Sequence, residues 1–243
     1  MSPAASPGAP LSIGVLLPDV LGTYSDAGNA TILAQRARWR GIPAEIISVT
    51  AAVAPPTTCD IYLLGGGEDT AQIFATEWLG RHPGLLTAVQ TSSMLLAVCA
   101  GLQILGEAMS DRSGRVSAGL GLLDLTTTPG TRRSVGEVVT TSTLPGIGTL
   151  TGFENHMGLT TLGTGTVPLG YVTSGVGNGS ADRSGRAGDG ALTDRIIGTY
   201  MHGPVLARNP ALADHLLERA TGGHLEPLEL PDQAALRRQY IDA

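Results

Sequence analysis

Two residues in this chain have types and settings that could carry covalent chemistry: Cys99 in LLAVCAG and His202 in GTYMHG. A thiolate attacks carbonyl carbon, and an imidazole can take and return the proton involved. A third stretch, LLGGGED at 63–69, ends an apolar run in three glycines. Backbone N–H groups there can come close to a ligand and steady a developing oxyanion. Nucleophile, base and oxyanion donors are the parts of acyl transfer. Cys99 lies between Ala97 and Gly101, and small neighbours suit a thiol on a tight strand-to-helix turn. The segment after it, AGLQILGEAMS, reads as a helix over 100–110 whose N-terminus faces the sulfur and favours thiolate. The same residues also suit a buried, inert cysteine. His156, in GFENHMG, is a second candidate base, whereas His82, His215 and His224 read as surface residues. Cys59 reads as core or strand edge.

These groups need elements to place them. LSIGVLLP, AEIISVT, CDIYLLGGG, MLLAV and RIIGTYMHG read as strands. NATILAQRARWRG, TAQIFATEWLG, PGLLTAVQTS and NPALADHLLERATGG read as helices, the last with Asn209 as N-cap and Pro210 just inside. Strands alternating with helices predict an α/β domain with a mostly parallel sheet flanked by helices. In such sheets chemistry sits beyond the carboxyl ends of the strands. Past residue 119, GLGLLDLTTT, SVGEVVTTST, TGFENHMG and LGYVTSG read as short strands separated by glycines. A Gly/Ser/Asp-rich loop follows them. One domain over 11–243 is expected, after a disordered leader over 1–10.

Composition narrows the function. The chain has 243 residues and a net charge of −6, which argues against nucleic acid as a partner. All 15 basic residues are arginine, so a Lys-dependent phosphate loop and a Lys Schiff base are both excluded. Two cysteines are too few for a disulfide framework. The opening MSPAASPGAP lacks the basic and apolar regions of a signal peptide, and no apolar run reaches the ~18 residues of a membrane span. A cytoplasmic protein is expected.

The motifs LPDVLGTYSDAGNATIL, YLLGGGEDTAQ, CAGLQILG, GFENHMG and GTYMHGPVLARNPALADHLL, in that order, resemble class I glutamine amidotransferases of the cobyric-acid-synthase-like branch. Within it, the resemblance is closest to glutaminase subunits that serve a Mur-ligase-like, MurT-type partner in lipid II amidation. It implies a flavodoxin-like fold with a nucleophile elbow. It also implies that Cys99 attacks the L-glutamine amide through a thioester and that His202 is its base. Gln103 would lie near the substrate amide, and Gly66 or Gly67 would offer an oxyanion N–H. Arg133, or Arg132 beside it, would clamp the substrate carboxylate. By the same resemblance the chain hydrolyses glutamine to glutamate and passes ammonia to the partner in a heterodimer. ATP and Mg²⁺ would sit on that partner, with no cofactor or metal in this chain. The product would be amidated D-glutamate in the lipid II stem peptide, a step of peptidoglycan and cell-wall synthesis.

One position departs from the wider class. Triad amidotransferases carry an acid two residues after the histidine, and Pro204 stands there. The acid would have to come from elsewhere: from the partner subunit, or from a residue such as Asp26 or Asp69. Two other readings remain from sequence: a DJ-1/PfpI-type cysteine hydrolase, and a catalytically silent regulatory subunit.

Overall fold

Short apolar runs closed by turn residues form strands when both faces are covered. That is how β1 (Leu11–Leu16), β3 (Ile61–Leu64), β4 (Met94–Val98) and β12 (Ile196–Thr199) behave in a computed structural model of the chain, where nearly every residue of these strands is buried. The structure describes residues 8–22, 26–182, 184–228 and 230–241. Residues 1–7 of the expected leader, and residues 23–25 within the LPDVLGTYSDAGNATIL motif, lie outside the described residues.

The remaining elements are α1 (Gly28–Arg38), β2 (Ala44–Val49), α2 (Asp69–Gly80), α3 (Pro83–Thr91), α4 (Ala100–Ile104), β5 (Ala108–Ser110), β6 (Val116–Ala118), β7 (Leu125–Ser142), β8 (Thr149–Leu162), β9 (Gly170–Ser174), β10 (Gly188–Asp189), β11 (Ala191–Leu192), α5 (Val205–Arg208), α6 (Pro210–Thr221) and α7 (Pro231–Ile241). The first sheet runs β11-β12-β4-β3-β1-β2, parallel throughout except for β11 at the edge. The β2-β1-β3-β4 order is that of a flavodoxin-like doubly wound sheet. The chain is thus α/β, as the alternation predicts. The carboxyl ends of β12, β4, β3 and β1 stand side by side.

A second sheet, β10-β9-β7-β5-β6 with β8 on β7, is mostly antiparallel. It departs from the sequence reading in two ways. GLGLLDLTTT and SVGEVVTTST, read as separate short strands, join into β7 of 18 residues, and TGFENHMG lies within β8 of 14, whereas LGYVTSG remains the short β9. A register shift between Pro129 and Ser134 absorbs the breakers, as bulges do. The helix expected over 100–110 stops at Ile104, and 108–110 is strand β5. The cause is close packing at Gly106, where an added Cβ would lie 2.3 Å from Leu125 Cδ1. The Glu107 N–H then donates to Leu125 O, drawing the chain into the second sheet.

Asn209 does precede α6, but its side chain does not cap the helix. It is spent on Thr151 N–H, Thr151 O and Val205 O, tying α6 to β8. Helix α7 was not expected, because PDQAALRRQYI has no apolar stripe. Polar contacts hold it instead, chiefly Arg237 donating to Arg208 O at 2.7 Å and to Asn209 Oδ1 at 3.2 Å.

Candidate active site

The turn after β4 has the geometry expected of an elbow. Cys99 adopts φ 54° and ψ −109°, a positive φ rare for a side-chain-bearing residue. Such strain is of order 1–3 kcal/mol and persists only where the surroundings fix it. They fix it here from both sides. Cys99 N–H donates to Thr199 O on the neighbouring strand, and Gln103 N–H donates back to Cys99 O. Gly101 must be glycine, since a Cβ there would meet Leu64 O at 2.6 Å.

His202 follows β12 by three residues and is 2 % exposed. Its backbone pairs with Phe153 of β8, N–H to O in both directions. A Cβ built on Gly66 would lie 2.9 Å from His202 Cε1 and 3.2 Å from Cys99 Cβ. Thiol and imidazole therefore close over the glycine loop after β3, and a side chain at 66 would part them. Pro204, where an acid might stand, instead packs on the start of α1, with Cγ 2.5 Å from where a Gly28 Cβ would be.

An acid arrives from another strand end. Asp26, in the loop between β1 and α1, is buried, and both its carboxylate oxygens lie 3.2 Å from His202 Nδ1. Oδ2 also accepts the Gly66 N–H at 3.0 Å. Neighbouring strands thus deliver base, thiol, glycines and acid in the order β12, β4, β3, β1.

Cys99 opens onto a cavity of about 440 Å³ between the two sheets, whose lining includes Gly67, Gln103, Arg133 and Asn155. That volume is within the roughly 300–1,000 Å³ range of small-molecule sites. Arg133 belongs to the lining and Arg132 does not. Arg133 Nε donates to Asn155 Oδ1 at 2.5 Å, which holds the guanidinium over the cavity. Burial pushes the Cys99 thiol up to about 12; the Asp26 charge adds to this, and the Ala100 N–H and Arg133 oppose it. This overturns the expectation of a resting thiolate: α4 has only 5 residues, and desolvation outweighs its pull. The thiol rests protonated and needs a base.

Residues 12–210 match the CobB/CobQ-like glutamine amidotransferase domain. The chain belongs to this family. Among curated relatives, the Lipid II isoglutaminyl synthase (glutamine-hydrolyzing) subunit GatD of Staphylococcus aureus (strain N315) is 36% identical, with 95% of this chain and 94% of the relative covered. The subunit of the same name from Streptococcus pneumoniae (strain ATCC BAA-255 / R6) is 32% identical over 86% of this chain and 80% of the relative. A crystal structure of a glutamine amidotransferase matches with a TM-score of 0.57 at 18% identity, covering 86% of this chain and 98% of that one. At that identity the likeness speaks for the fold alone.

The amidotransferase fold brings Cys99, His202, Gln103, Gly67 and Arg133 to one place, and it sorts the alternatives. Of the two glycines expected from the motif, Gly66 spends its N–H on Asp26, and Gly67 lines the cavity. Gln103 lines the cavity too, but its amide is already fixed: Nε2 donates to Tyr200 Oη at 2.9 Å and Oε1 accepts from Gln72 at 2.7 Å.

His156 lies on β8, in the stretch read as a strand, and is stacked on Tyr200 with ring centroids 3.8 Å apart. It is buried beside Glu154, Nε2 to Oε2 3.4 Å. Cys59 is core, pushed up to about 11 by burial. His224 is exposed, as the sequence suggests, whereas His82 and His215 are partly buried. Sequence reasoning missed Ala100, whose N–H reaches the sulfur, and Asp189, buried against Thr199 and Tyr200. The first could have been found from the elbow itself, since the residue after such a nucleophile commonly supplies an oxyanion donor. No comparable signal marks Asp189.

Proposed function

We propose that this chain is the glutaminase subunit of a two-subunit, ATP-dependent amidotransferase that acts on lipid II. The observation that carries the reading is Cys99 on its positive-φ turn, packed with His202 against the Gly66 loop at the head of a cavity. With Nδ1 facing Asp26, the Nε2 of His202 takes the thiol proton. The sulfur attacks the side-chain amide carbon of L-glutamine, and the oxyanion is met by the N–H groups of Gly67 and Ala100. Collapse expels ammonia, with the imidazolium returning the proton to the leaving nitrogen. Water, deprotonated by His202, then cleaves the thioester and releases glutamate. Arg133 holds the substrate carboxylate during these steps.

The acceptor chemistry belongs to a partner. Ammonia makes an amide only from an activated carboxylate, which calls for ATP and Mg²⁺, and this lysine-free chain has no Lys-dependent phosphate loop. The relatives named as subunits of lipid II isoglutaminyl synthase support a partner subunit; on the resemblance of the motifs that partner is Mur-ligase-like, heterodimeric with this chain, and amidates the stem-peptide D-glutamate. Both subunits would work in the cytoplasm; no helix among the described residues is long and apolar enough to cross a membrane. The test is amidation of lipid II by this chain with the Mur-ligase-like protein of the same organism, ATP and ¹⁵N-amide glutamine. Label is expected in the stem peptide only when both proteins are present. Unlabelled product, or label without this chain, would refute the reading.

A further inference from the structure

We propose that Asp26 is the positioning residue that orients His202, and that the same carboxylate anchors the glycine loop through the Gly66 N–H. This rests on the amidotransferase reading above. A carboxylate that is 4 % exposed must be satisfied by specific partners. Among the described residues these include the Gly66 N–H at 3.0 Å and the His202 Nδ1 at 3.2 Å. An ionised carboxylate only accepts, so the ring nitrogen facing it carries the hydrogen. That leaves the Nε2 lone pair for the thiol, the tautomer a general base needs.

The surroundings hold Asp26 in place. At the second residue of α1, Asn29 Oδ1 accepts the Leu206 N–H at 3.0 Å, so the helix after Asp26 is tied to the segment after His202. Gly28 lets Pro204 pack directly on the helix start. Gly65 has no room for a side chain either, since its Cβ would meet Leu21 O at 2.3 Å and Asp26 Cβ at 3.4 Å. The other acids near the site face elsewhere. Glu154 accepts from the Val176 and Gly177 N–H groups and faces His156. Asp189 accepts from Thr199 and Tyr200. Glu68 and Asp69 line the exposed mouth of the cavity. The acid missing two residues after the histidine is thus supplied 176 residues earlier in the same chain. One carboxylate then sets both the base and the loop bearing the oxyanion donor.

Two readouts on the purified full chain test this. The first is the His202 tautomer, read from ¹⁵N shifts of histidine-labelled protein and assigned against His202→Ala. The second is the rate at which 6-diazo-5-oxo-L-norleucine alkylates Cys99. Asp26→Asn keeps the size but can present an N–H to Nδ1, so it should move the hydrogen to Nε2. Alkylation should slow about 10³- to 10⁴-fold, the scale of the same change in a protease triad. Asp26→Glu should retain the wild-type tautomer and recover at least tenfold of that loss. Unchanged tautomer in Asp26→Asn, at any alkylation rate, would overturn the proposal. A wild-type chain with hydrogen on Nδ1 that the probe does not alkylate would instead count against the glutaminase reading and leave the positioning role standing.

Discussion

The backbone N–H of Cys99 donates to the carbonyl of Thr199 at 2.8 Å. The last parallel hydrogen bond between β4 and β12 therefore joins the nucleophile itself to Thr199, three residues before the base. Thiol and imidazole are placed by the sheet register, Val98 opposite Thr199, and not by a flexible loop. Removing either side chain should disturb chemistry far more than fold.

Cys99→Ala should abolish glutamate release while the chain still folds. Alanine leaves the turn and its backbone hydrogen bonds in place, and only the sulfur is lost. Loss of a nucleophile in a serine protease costs on the order of 10⁶ in kcat. Glutamate release by the variant within tenfold of wild type, with an unaltered thermal transition, would show that Cys99 is a core residue only.

The two histidines should separate by what they damage. His202→Ala should stop alkylation by a glutamine-analogue electrophile with little loss of stability. His156→Ala should chiefly destabilise, because it strips the stacked partner from Tyr200 and leaves Glu154 buried beside a void. Leaving a buried polar group without a partner costs roughly 1–3 kcal/mol, and the two backbone N–H groups that stay on Glu154 place this part of the loss at the lower end. Denaturant midpoints and labelling rates measured on both variants check this. A stable His156→Ala that cannot be labelled would exchange the roles.

What the sequence could tell and what it could not divide along physical lines. Cys99 and His202 were legible because each ends an apolar run, and an apolar run of that length is a buried strand whose end must lie at the sheet's edge. Asp26 could be named only as one candidate beside Asp69 and the partner subunit, since an aspartate in a Gly/Ser/Thr-rich loop looks like any turn residue and its partner is 176 positions away. The resting state of the thiol was misread because the sequence displays the following helix but not the depth of burial that outweighs it. Strand β7 was read in two pieces because Pro129 and Gly130 are breakers by propensity, and only pairing with β8 shows that the strand continues past them.

Asp189 gives the fold a pH dependence on the acid side of neutrality. It is fully buried, with Thr199 Oγ1 donating to Oδ2 at 2.6 Å and the Tyr200 N–H to Oδ1 at 3.2 Å. Burial pushes its carboxyl up to about 6. The unfolded value is near 3.9, so the folded state holds the proton more tightly. Its contribution to stability is complete below about pH 4 and is lost as pH rises through 6. Asp189→Asn should flatten this part of the curve. Urea midpoints at pH 4.5 and pH 7 would check it; the same change between the two pH values in variant and wild type would remove Asp189 as the source.

Arg133→Ala should raise KM for glutamine about 10- to 100-fold with kcat within a few-fold, the pattern of an interaction made equally in ground and transition states. The structure supplies the reason to separate it from its neighbour. Both arginines are exposed, but Arg133 lines the cavity and is braced by Asn155, whereas Arg132 lies outside that lining. Arg132→Ala should therefore stay within about threefold of wild type in both constants. Arg133→Lys should recover only part of the loss, because an ammonium keeps the charge but not the planar fork that matches a carboxylate. Asn155→Ala, which frees the guanidinium without removing it, should raise KM less than Arg133→Ala does. Steady-state glutamate release by the four variants decides the matter: a larger KM defect in Arg132→Ala than in Arg133→Ala would move the clamp one residue along the strand, and equal defects would place the carboxylate elsewhere in the cavity.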